Sequence, residues 1–269
     1  MRVLIVGAGP SAAFAALACK DLGITPIVMT KDVPIEFPGA FYIHRVPFGR
    51  HFNIRSRRIT CYLHGYNRAH YAQRIYGADV PTSCPDVVKE TFGYNPYELL
   101  PTLWEGIAPQ AGITLTPGQV RHLSASFDAV ICSIPLTPPP TTPIKMYVHG
   151  PIAATKAFNY TTGEHWLAGM LNVPEEGIQP QSILYNASPH GAWARISWLW
   201  DHIWVESVEP IKFLPSCHII YKLPRQTTPQ EVSEDPRILL IGRWGTWKIN
   251  YLCHQAYWDT YMKLKPGIT

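Results

Sequence analysis

The chain has 269 residues, which is enough for one large domain or two closely joined ones. Apolar residues make up 46% of it, which predicts a substantial core and argues against global disorder. The net charge of +4 is too small to indicate a partner for the whole chain. There is no recognisable signal peptide, no apolar run of the roughly 20 residues that a membrane span needs and no C-x-x-C pair. We therefore expect a cytoplasmic protein without a metal or a membrane partner.

The N-terminal segment predicts a strand, a glycine-rich turn, a helix and a second strand. Residues 2–6 form a continuous apolar run, which is typical of a strand buried on both faces. An alanine-rich segment that ends at Gly23 favours a helix. Residues 26–30 predict the second strand. This order is that of a βαβ unit.

The central region predicts loops and short elements. Residues 33–60 contain no long periodic run and are expected to be extended loops. The patterns further predict helices over 67–76 and 96–106, the second interrupted or kinked at Pro101, short strands over 113–116 and 119–123, and a buried strand over 127–134.

The C-terminal half predicts an antiparallel sheet. Aromatic and branched residues dominate the apolar runs between 144 and 223, including HWLAGMLN at 165–172. Within WARISWLWDHIWVESV, even-numbered residues from Trp198 to Trp204 are expected to share one strand face, as core or as a wall of the site. A buried strand over 237–242 and a closing helix over 246–264 follow.

These elements predict an α/β fold with a Rossmann-type parallel sheet, and an antiparallel β-rich substrate or cap domain. The Rossmann-type domain is expected to combine three separate parts of the chain. The boundaries that we infer are 1–35, 113–135 and 237–269 for that domain, 36–112 for a loop and helical insertion, and 144–223 for the antiparallel domain.

The turn after the first strand carries the dinucleotide-binding fingerprint. Gly7, Gly9 and Ala12 occupy the three positions of G-x-G-x-x-G/A. The first allows a tight turn, the second lets the backbone approach a pyrophosphate, and the third lets helix and strand pack closely. Pro10 and Ser11 begin the helix, whose N-terminus offers N–H groups to phosphates. The fingerprint therefore predicts a dinucleotide bound by these five residues.

The end of the second strand leaves the identity of the dinucleotide open. An acidic residue commonly holds the ribose hydroxyls at this point, but the chain has Thr30, followed by Lys31 and Asp32. A threonine hydroxyl is able to bind a ribose hydroxyl, which suits FAD. A lysine favours a phosphorylated ribose, which suits NADP. Thr30 and Lys31 are both candidate cofactor contacts.

The later part of the chain resembles a flavoprotein family. DAVICSIP at 128–135 resembles the strand that returns to the nucleotide domain in flavoproteins of the glutathione-reductase-2 type. ILLIGRWGTWKIN at 238–250 resembles the closing flavin motif of UDP-galactopyranose mutases and related amine-oxidase-like proteins. The resemblance implies an FAD cofactor and an oxidoreductase-type reaction at a C–N or C–O carbon, with a mutase or lyase outcome also open. By position, it implies FAD contacts for Gly242, Arg243, Gly245, Trp247 and Asn250.

Two further segments supply candidates for the site. PGAFYIHRVPF at 38–48 is similar to the family segment that brings a histidine beside the flavin. This similarity implies a cofactor contact for Gly39 and a catalytic, flavin-adjacent role for His44. His254 and Tyr257 lie one helical turn apart near the closing motif, so both are candidate substrate residues.

Residues 45–74 form a basic segment with interleaved tyrosines and no acidic residue. Such a segment attracts phosphates and suits stacking on bases, so it predicts a small anionic substrate or a nucleic acid. The candidate substrate residues are Arg45, Arg55, Arg57 and Arg58. The layout also resembles flavoproteins encoded by bacteriophages, which implies, as one alternative, an enzyme that tailors a modified base in DNA. A non-catalytic nucleotide-binding protein is a second alternative.

Overall fold

The computed structural model describes residues 1–32, 42–46, 52–76, 88–138, 142–153, 166–173, 178–214, 217–222, 234–248 and 251–265. The strands are β1 (Val3–Val6), β2 (Ile27–Met29), β3 (Ile43–His44), β4 (Arg57–His64), β5 (Lys89–Tyr94), β6 (Ala129–Cys132), β7 (Ile144–Ala153), β8 (Ser182–Asn186), β9 (Trp193–Leu199), β10 (His202–Ser207), β11 (Cys217–Lys222) and β12 (Ile238–Leu240). The helices are α1 (Pro10–Asp21), α2 (Arg68–Tyr76), α3 (Pro96–Trp104), α4 (Pro117–Ser124), α5 (Trp166–Leu171), α6 (Gly242–Thr246) and α7 (Gln255–Leu264).

The smaller of two sheets is parallel, with the strand order β12–β6–β1–β2. Its strands come from the N-terminal, middle and C-terminal parts of the chain. Every residue of β1 and β6 is buried, as expected for a sheet that helices cover on both faces. The strands predicted over 2–6, 26–30, 127–134 and 237–242 are confirmed, and so is the α/β class.

Alternate residues of β1 point to two different helical layers. Val3 and Ile5 pack with the alanines of α1, and α3 and α7 join this layer. Leu4 and Val6 pack instead with Val120 of α4 on the opposite face. In this three-layer arrangement the carboxyl ends of β1 and β6 lie beside the N-terminus of α1.

The two short strands predicted over 113–116 and 119–123 are absent: the helix α4 covers the second segment, and the first is the irregular stretch that leads into it. The side chain of Thr116 accepts a hydrogen bond from the Gln119 N–H at 3.3 Å, and the Gln119 side chain accepts one from the Thr116 N–H at 2.8 Å. This reciprocal cap, with Pro117 at the first helical position, starts a helix and overrides the β propensity of the segment.

Other predicted elements also differ from the structure. Residues 166–171 of the supposed strand HWLAGMLN form the helix α5. The closing helix predicted over 246–264 starts only at Gln255, as α7. Thr246 instead ends the short helix α6, after which Trp247 adopts a left-handed backbone with φ +53°. The helix predicted near 96–106 is present and continuous across Pro101, where the sequence predicted an interruption or kink.

The larger sheet has eight strands in the order β11–β7–β10–β9–β8–β4–β5–β3. All its pairs are antiparallel except β4 with β8, so it is mixed and not purely antiparallel. Strands β3, β4 and β5 come from 36–112, which was predicted to be a loop and helical insertion. In β4, Ile59 and Cys61 are buried and alternate with more exposed residues, which is the pattern of a half-buried strand.

A tight hairpin joins β9 to β10 and corrects the predicted tryptophan face. Trp200 and Asp201 both have positive φ, +54° and +65°, as in a type I′ turn. The turn reverses the chain, so Trp198 pairs with Ile203 while Trp204 pairs with Ser197. Trp198 and Trp204 therefore lie on opposite faces of the sheet and in different core clusters.

One face of the larger sheet carries ionisable side chains from several of its strands. Strand register places His44, Cys61, Arg195, Glu206 and Lys222 on this face, which we call the site face. On the opposite face, an apolar cluster that includes Leu184, Ile196 and Ile203 packs against α5, through Leu167 and Leu171.

Replacing Thr116 by Ala is expected to lower the free energy of unfolding by about 1 kcal/mol, because α4 loses the oxygen that caps its N-terminus. Urea denaturation followed by circular dichroism measures the change. Thr116→Ser keeps the capping oxygen and serves as the control, which should stay within about 0.5 kcal/mol of the unaltered protein. Equal stability of the alanine and serine variants would contradict the role of this cap.

Candidate functional site

The turn after β1 passes very close to the end of β6. The Gly7 N–H donates to the Met29 carbonyl at 2.8 Å, and Gly7 has φ +95°. A Cβ on Gly7 would lie 2.3 Å from the Ser133 Oγ. That hydroxyl itself donates to the Val6 carbonyl at 2.9 Å. Both the backbone angle and the available space therefore require glycine at this position.

Gly9 is glycine for a different reason. It is the N-cap of α1, with an extended backbone (φ −71°) that any residue adopts, and no side chain caps the helix there. A Cβ on Gly9 would meet no described atom within 4 Å. No described residue fills the space beside Gly9, which adjoins the N–H groups at the positive end of α1. These features fit the close approach of a phosphate to the backbone.

The C-terminal motif packs directly on this first turn of α1. Gly242 has φ +76°, and a Cβ on it would lie 2.9 Å from the Ser11 Oγ. A Cβ on Gly245 would lie 2.8 Å from the Cys132 carbonyl. The structure thus brings Gly7, Ser11 and Gly242 together at the carboxyl edge of the parallel sheet.

Trp247 follows α6 and is buried, with the ring edge-on to Trp244 at 5.7 Å between centroids. Its Nε1 is buried and has no hydrogen-bond partner among the described residues. A buried N–H without an acceptor is destabilising, and native structures rarely contain one. The Trp247 indole therefore fits an acceptor atom on a bound molecule.

Arg243 is exposed and lies within electrostatic range of His44. Its Nε donates to the Tyr251 carbonyl at 3.2 Å. Burial lowers the pKa of His44, and the nearby His254, Lys89 and Arg243 lower it further. His44 is therefore held mainly as the neutral imidazole at neutral pH, with its ring edge-on to Tyr42 at 4.8 Å.

His254 lies at the N-cap of α7, and burial lowers its pKa. Its Nδ1 is buried without a hydrogen-bond partner among the described residues. A neutral histidine with an unsatisfied ring nitrogen is able to donate to or accept from a bound molecule. Of the two candidates predicted near the closing motif, His254 is the one placed beside His44.

Tyr257 is placed elsewhere. Its hydroxyl donates to Asp21 at 2.7 Å, at the C-terminal end of α1. Since α1 has 12 residues and is about 18 Å long, this contact is remote from the glycine turn. Tyr257 is buried between α7 and α1, and it does not join the candidate substrate residues.

Thr30 and Lys31 lie at the carboxyl end of β2, next to the glycine turn. Thr30 is buried and its hydroxyl donates to the Asp32 carbonyl at 3.0 Å. The hydroxyl oxygen keeps the capacity to accept a hydrogen bond. Lys31 is exposed. Two other predicted cofactor residues, Gly39 and Asn250, lie outside the described residues.

The basic segment does not form one binding surface. The guanidinium of Arg74 donates to three carbonyls of the loop 186–190, at 2.9, 2.9 and 3.2 Å. Arg58 forms an ion pair with Glu90 at 3.4 Å on the face opposite the site face. Arg74 therefore has a structural role, and Arg58 forms a surface ion pair.

Three other arginines of the segment are exposed: Arg45, Arg55 and Arg57. Arg57 is the one that strand register assigns to the site face, where its guanidinium lies 5.6 Å from the Trp200 ring. Of the four arginines predicted to contact substrate, Arg57 is therefore on the face that also carries His44.

An ionic cluster on the site face was not predicted from the sequence. Glu206 of β10 contacts Arg195 of β9 through one carboxylate oxygen and Lys222 of β11 through the other, the second contact at 2.6 Å. Burial by itself raises the pKa of the Glu206 carboxyl, but the two cations outweigh burial and lower the pKa to about 2. Glu206 is therefore ionised at neutral pH.

The cluster continues toward Tyr42. Burial raises the pKa of Tyr42 to about 12, the nearby Cys61 also raises it, and Arg195 lowers it. Burial likewise raises the pKa of Cys61, and the nearby Arg195 opposes this effect. Arg195 thus lies within electrostatic range of both groups, and the phenol and the thiol are neutral at neutral pH.

The described residues contain no group of three or more metal-ligating side chains. No helix in the described part of the chain has the length and apolar character needed to cross a membrane.

No family model matches the sequence, and no curated protein matches it. Solved structures do match. The structure of FqzB has a TM-score of 0.59 at 13% identity and covers 97% of this chain and 75% of that chain. A reduced UDP-galactopyranose mutase has a TM-score of 0.56 at 9% identity, with coverage of 97% and 94%. The structure of CtdE in complex with FAD and substrate 4 has a TM-score of 0.52 at 12% identity, with coverage of 97% and 79%.

These similarities show the fold. They confirm a Rossmann-type parallel sheet joined to a large β-sheet, and they confirm at the level of fold the resemblance to UDP-galactopyranose mutase.

The pKa of His44 is expected to lie below the ordinary histidine value of about 6.5, because burial and neighbouring cations disfavour the imidazolium. Replacing Arg243 by Ala removes one of those cations, so the His44 pKa should rise. Histidine ring signals followed by NMR across a pH series measure both values. Arg121→Ala, on α4 at the other face of the parallel sheet, is the control and should leave the His44 pKa unchanged. No change in the Arg243 variant would contradict the proximity of these two residues.

Proposed function

We propose that the protein is an FAD-dependent flavoenzyme of the oxidoreductase type. The observation that carries this proposal is the meeting of Gly7, Ser11 and Gly242 around the N-terminus of α1, beside a space at Gly9 that no described residue fills. Solved structures of the same fold include one in complex with FAD. The fold and the local geometry therefore support the same cofactor.

The residues present fit FAD at several points. Gly9 and the N-terminus of α1 suit the pyrophosphate. Thr30 and Lys31 are at the strand end where the ribose of the adenosine half is commonly held. The exposed Arg243 suits a phosphate, and the buried Trp247 N–H suits an acceptor on the flavin half.

A bound FAD would supply a hydride acceptor, and the protein would supply orientation and electrostatics. We place the reaction at a C–N or C–O carbon of a small or anionic substrate that lies against the site face. His44 and His254 are neutral groups at the border between that face and the cofactor site, so each is able to hydrogen-bond a substrate or the cofactor.

A base in DNA is the alternative substrate that the basic segment suggested. The contacts of Arg58 and Arg74 reduce the support for it, since Arg58 pairs with Glu90 and Arg74 binds loop carbonyls. Salt-dependent binding of oligonucleotides would favour this alternative. The second alternative, a non-catalytic nucleotide-binding protein, predicts a bound nucleotide and no flavin reduction by any donor.

The purified protein is expected to carry FAD and to show absorption bands near ~375 and ~450 nm. Dithionite should bleach the band at the longer wavelength, and air should restore it. Cofactor released by heat and separated by chromatography identifies FAD against FMN and NADP. A colourless protein that FAD cannot reconstitute would refute the proposed function.

Replacing Gly9 by Ala tests the cofactor site independently of the fold. The new methyl group meets no described protein atom but occupies the space proposed for the pyrophosphate, so FAD affinity should fall at least tenfold. Stability without cofactor should change by less than about 1 kcal/mol, since the poorer N-cap and the less flexible unfolded chain oppose each other. Fluorescence titration with FAD and urea denaturation measure the two quantities.

Gly169→Ala is the matched control. Gly169 lies in α5, and its added methyl group also meets no described atom within 4 Å. This helix packs on the larger sheet, in a different core cluster from α1. This variant should bind FAD as the unaltered protein does. Equal FAD affinity of the Gly9 and Gly169 variants would be incompatible with the site that we propose.

A further inference from the structure

The ionic cluster on the site face has more positive than negative charge. Two cations, Arg195 and Lys222, share the single carboxylate of Glu206. Among the described strand residues of this face, Glu206 is the one acidic side chain, whereas Arg57 and Lys89 add further cations. The face therefore has a local excess of positive charge that the small net charge of the chain does not reveal.

The cofactor side of the protein adds to this excess. Burial lowers the pKa of the Lys222 ammonium, Glu206 opposes this effect, and Arg195 and Arg243 lower the pKa further. Arg243 belongs to α6, so the Lys222 ammonium lies within electrostatic range of the residue proposed to contact FAD. An anion bound at Lys222 would therefore be held next to the cofactor site.

The accessibility of the three side chains is unequal. The side chain of Glu206 is 4% exposed, while those of Arg195 and Lys222 are 21% and 23% exposed. Glu206 is thus enclosed beneath the cations that it orients. An ammonium has three N–H donors, and the contact of Lys222 with Glu206 uses one of them.

The surroundings of the cluster are apolar and aromatic. Ile59, Cys61, Ile183 and Trp204 form a buried cluster on the same face, against which Tyr42 and Tyr185 pack. Such walls suit a hydrophobic or aromatic body, and the charged pair suits one anionic end. A planar carboxylate matches the forked donors of an arginine beside a lysine.

We propose that Arg195 and Lys222 bind the carboxylate of an apolar or aromatic acid, and that Glu206 positions both cations for this task. The proposal rests on the proposed function for its place beside FAD, but it concerns binding at the sheet and not retention of the cofactor. Glu206 is a positioning residue, because its carboxylate orients the two donors and is itself enclosed.

Benzoate is the probe, and benzamide, its neutral counterpart of the same shape, is the reference ligand. Calorimetric titration of the FAD-loaded protein measures their affinities, and the flavin spectrum recorded on the same samples reports cofactor content. Benzoate should bind at least tenfold more tightly than benzamide. Lys222→Met should reduce benzoate affinity about tenfold or more while benzamide affinity and flavin content stay unchanged.

Two control variants show whether a loss of benzoate binding depends on the positive charge at residue 222 and on its position, or only on disturbance of the fold. Lys222→Arg keeps the positive charge and should keep benzoate binding within a few-fold of the unaltered protein. Lys145→Met removes an exposed lysine from the adjacent strand β7 on the opposite face, and it should leave benzoate binding unchanged. Thermal unfolding of each variant shows whether it is folded.

The outcomes distinguish the two proposals. Loss of flavin from the unaltered protein would count against the proposed function and not against the carboxylate site. If the Lys222→Met variant is folded, carries flavin and binds benzoate with unchanged affinity, the carboxylate site is refuted. The contact between Lys222 and Glu206 would then have a structural role only. Tighter binding of phenyl phosphate than of benzoate would also overturn the assignment, in favour of a phosphate ester.

Discussion

The organisation of the protein depends on the close packing of two glycines at the carboxyl edge of the parallel sheet. Gly7 has no room for a side chain against Ser133, and Gly242 has little room against Ser11. Both have positive φ, which other residues adopt at an energetic cost. Because these contacts join β1, β6 and α6, they align strands from three distant parts of the chain. They also leave a space beside Gly9, at the N-terminus of α1, that no described residue fills.

The larger sheet contains a partly buried ionic cluster, formed by Arg195, Glu206 and Lys222. Removing a carboxylate and two cations from water is costly, and well-packed apolar residues in their positions are often as stable or more stable. A contribution to folding stability is therefore a weak explanation for the presence of this cluster. Its charges lie on the face that also carries His44 and face away from the apolar packing of α5. A binding role accounts for both the placement and the excess of positive charge.

The parts of the site that sequence reasoning could predict are those encoded over short distances. The spacing of Gly7, Gly9 and Ala12 lies within one turn and helix start, and its physical meaning does not depend on distant residues. Thr116 and Gln119 also encoded a helix start, but the β propensity of their segment led to the wrong prediction of strands. The hairpin after Leu199 had no such signal, because Trp and Asp occupy turn positions that Asn and Gly usually mark. That missed turn inverted the predicted face of Trp204 and concealed the pairing of Arg195 with Glu206.

Structures at 9–13% identity share this fold because the fold constrains only certain properties of its residues. Strands of the parallel sheet need to be apolar, and positions such as Gly7 need to lack a side chain. Neither requirement specifies which side chains project from the site face of the larger sheet. Arg195 and Lys222 satisfy no backbone requirement, and the sheet would form with many other residues in their places. The cofactor is therefore inferred from positions that the fold constrains, whereas the substrate has to be inferred from positions that the fold leaves free.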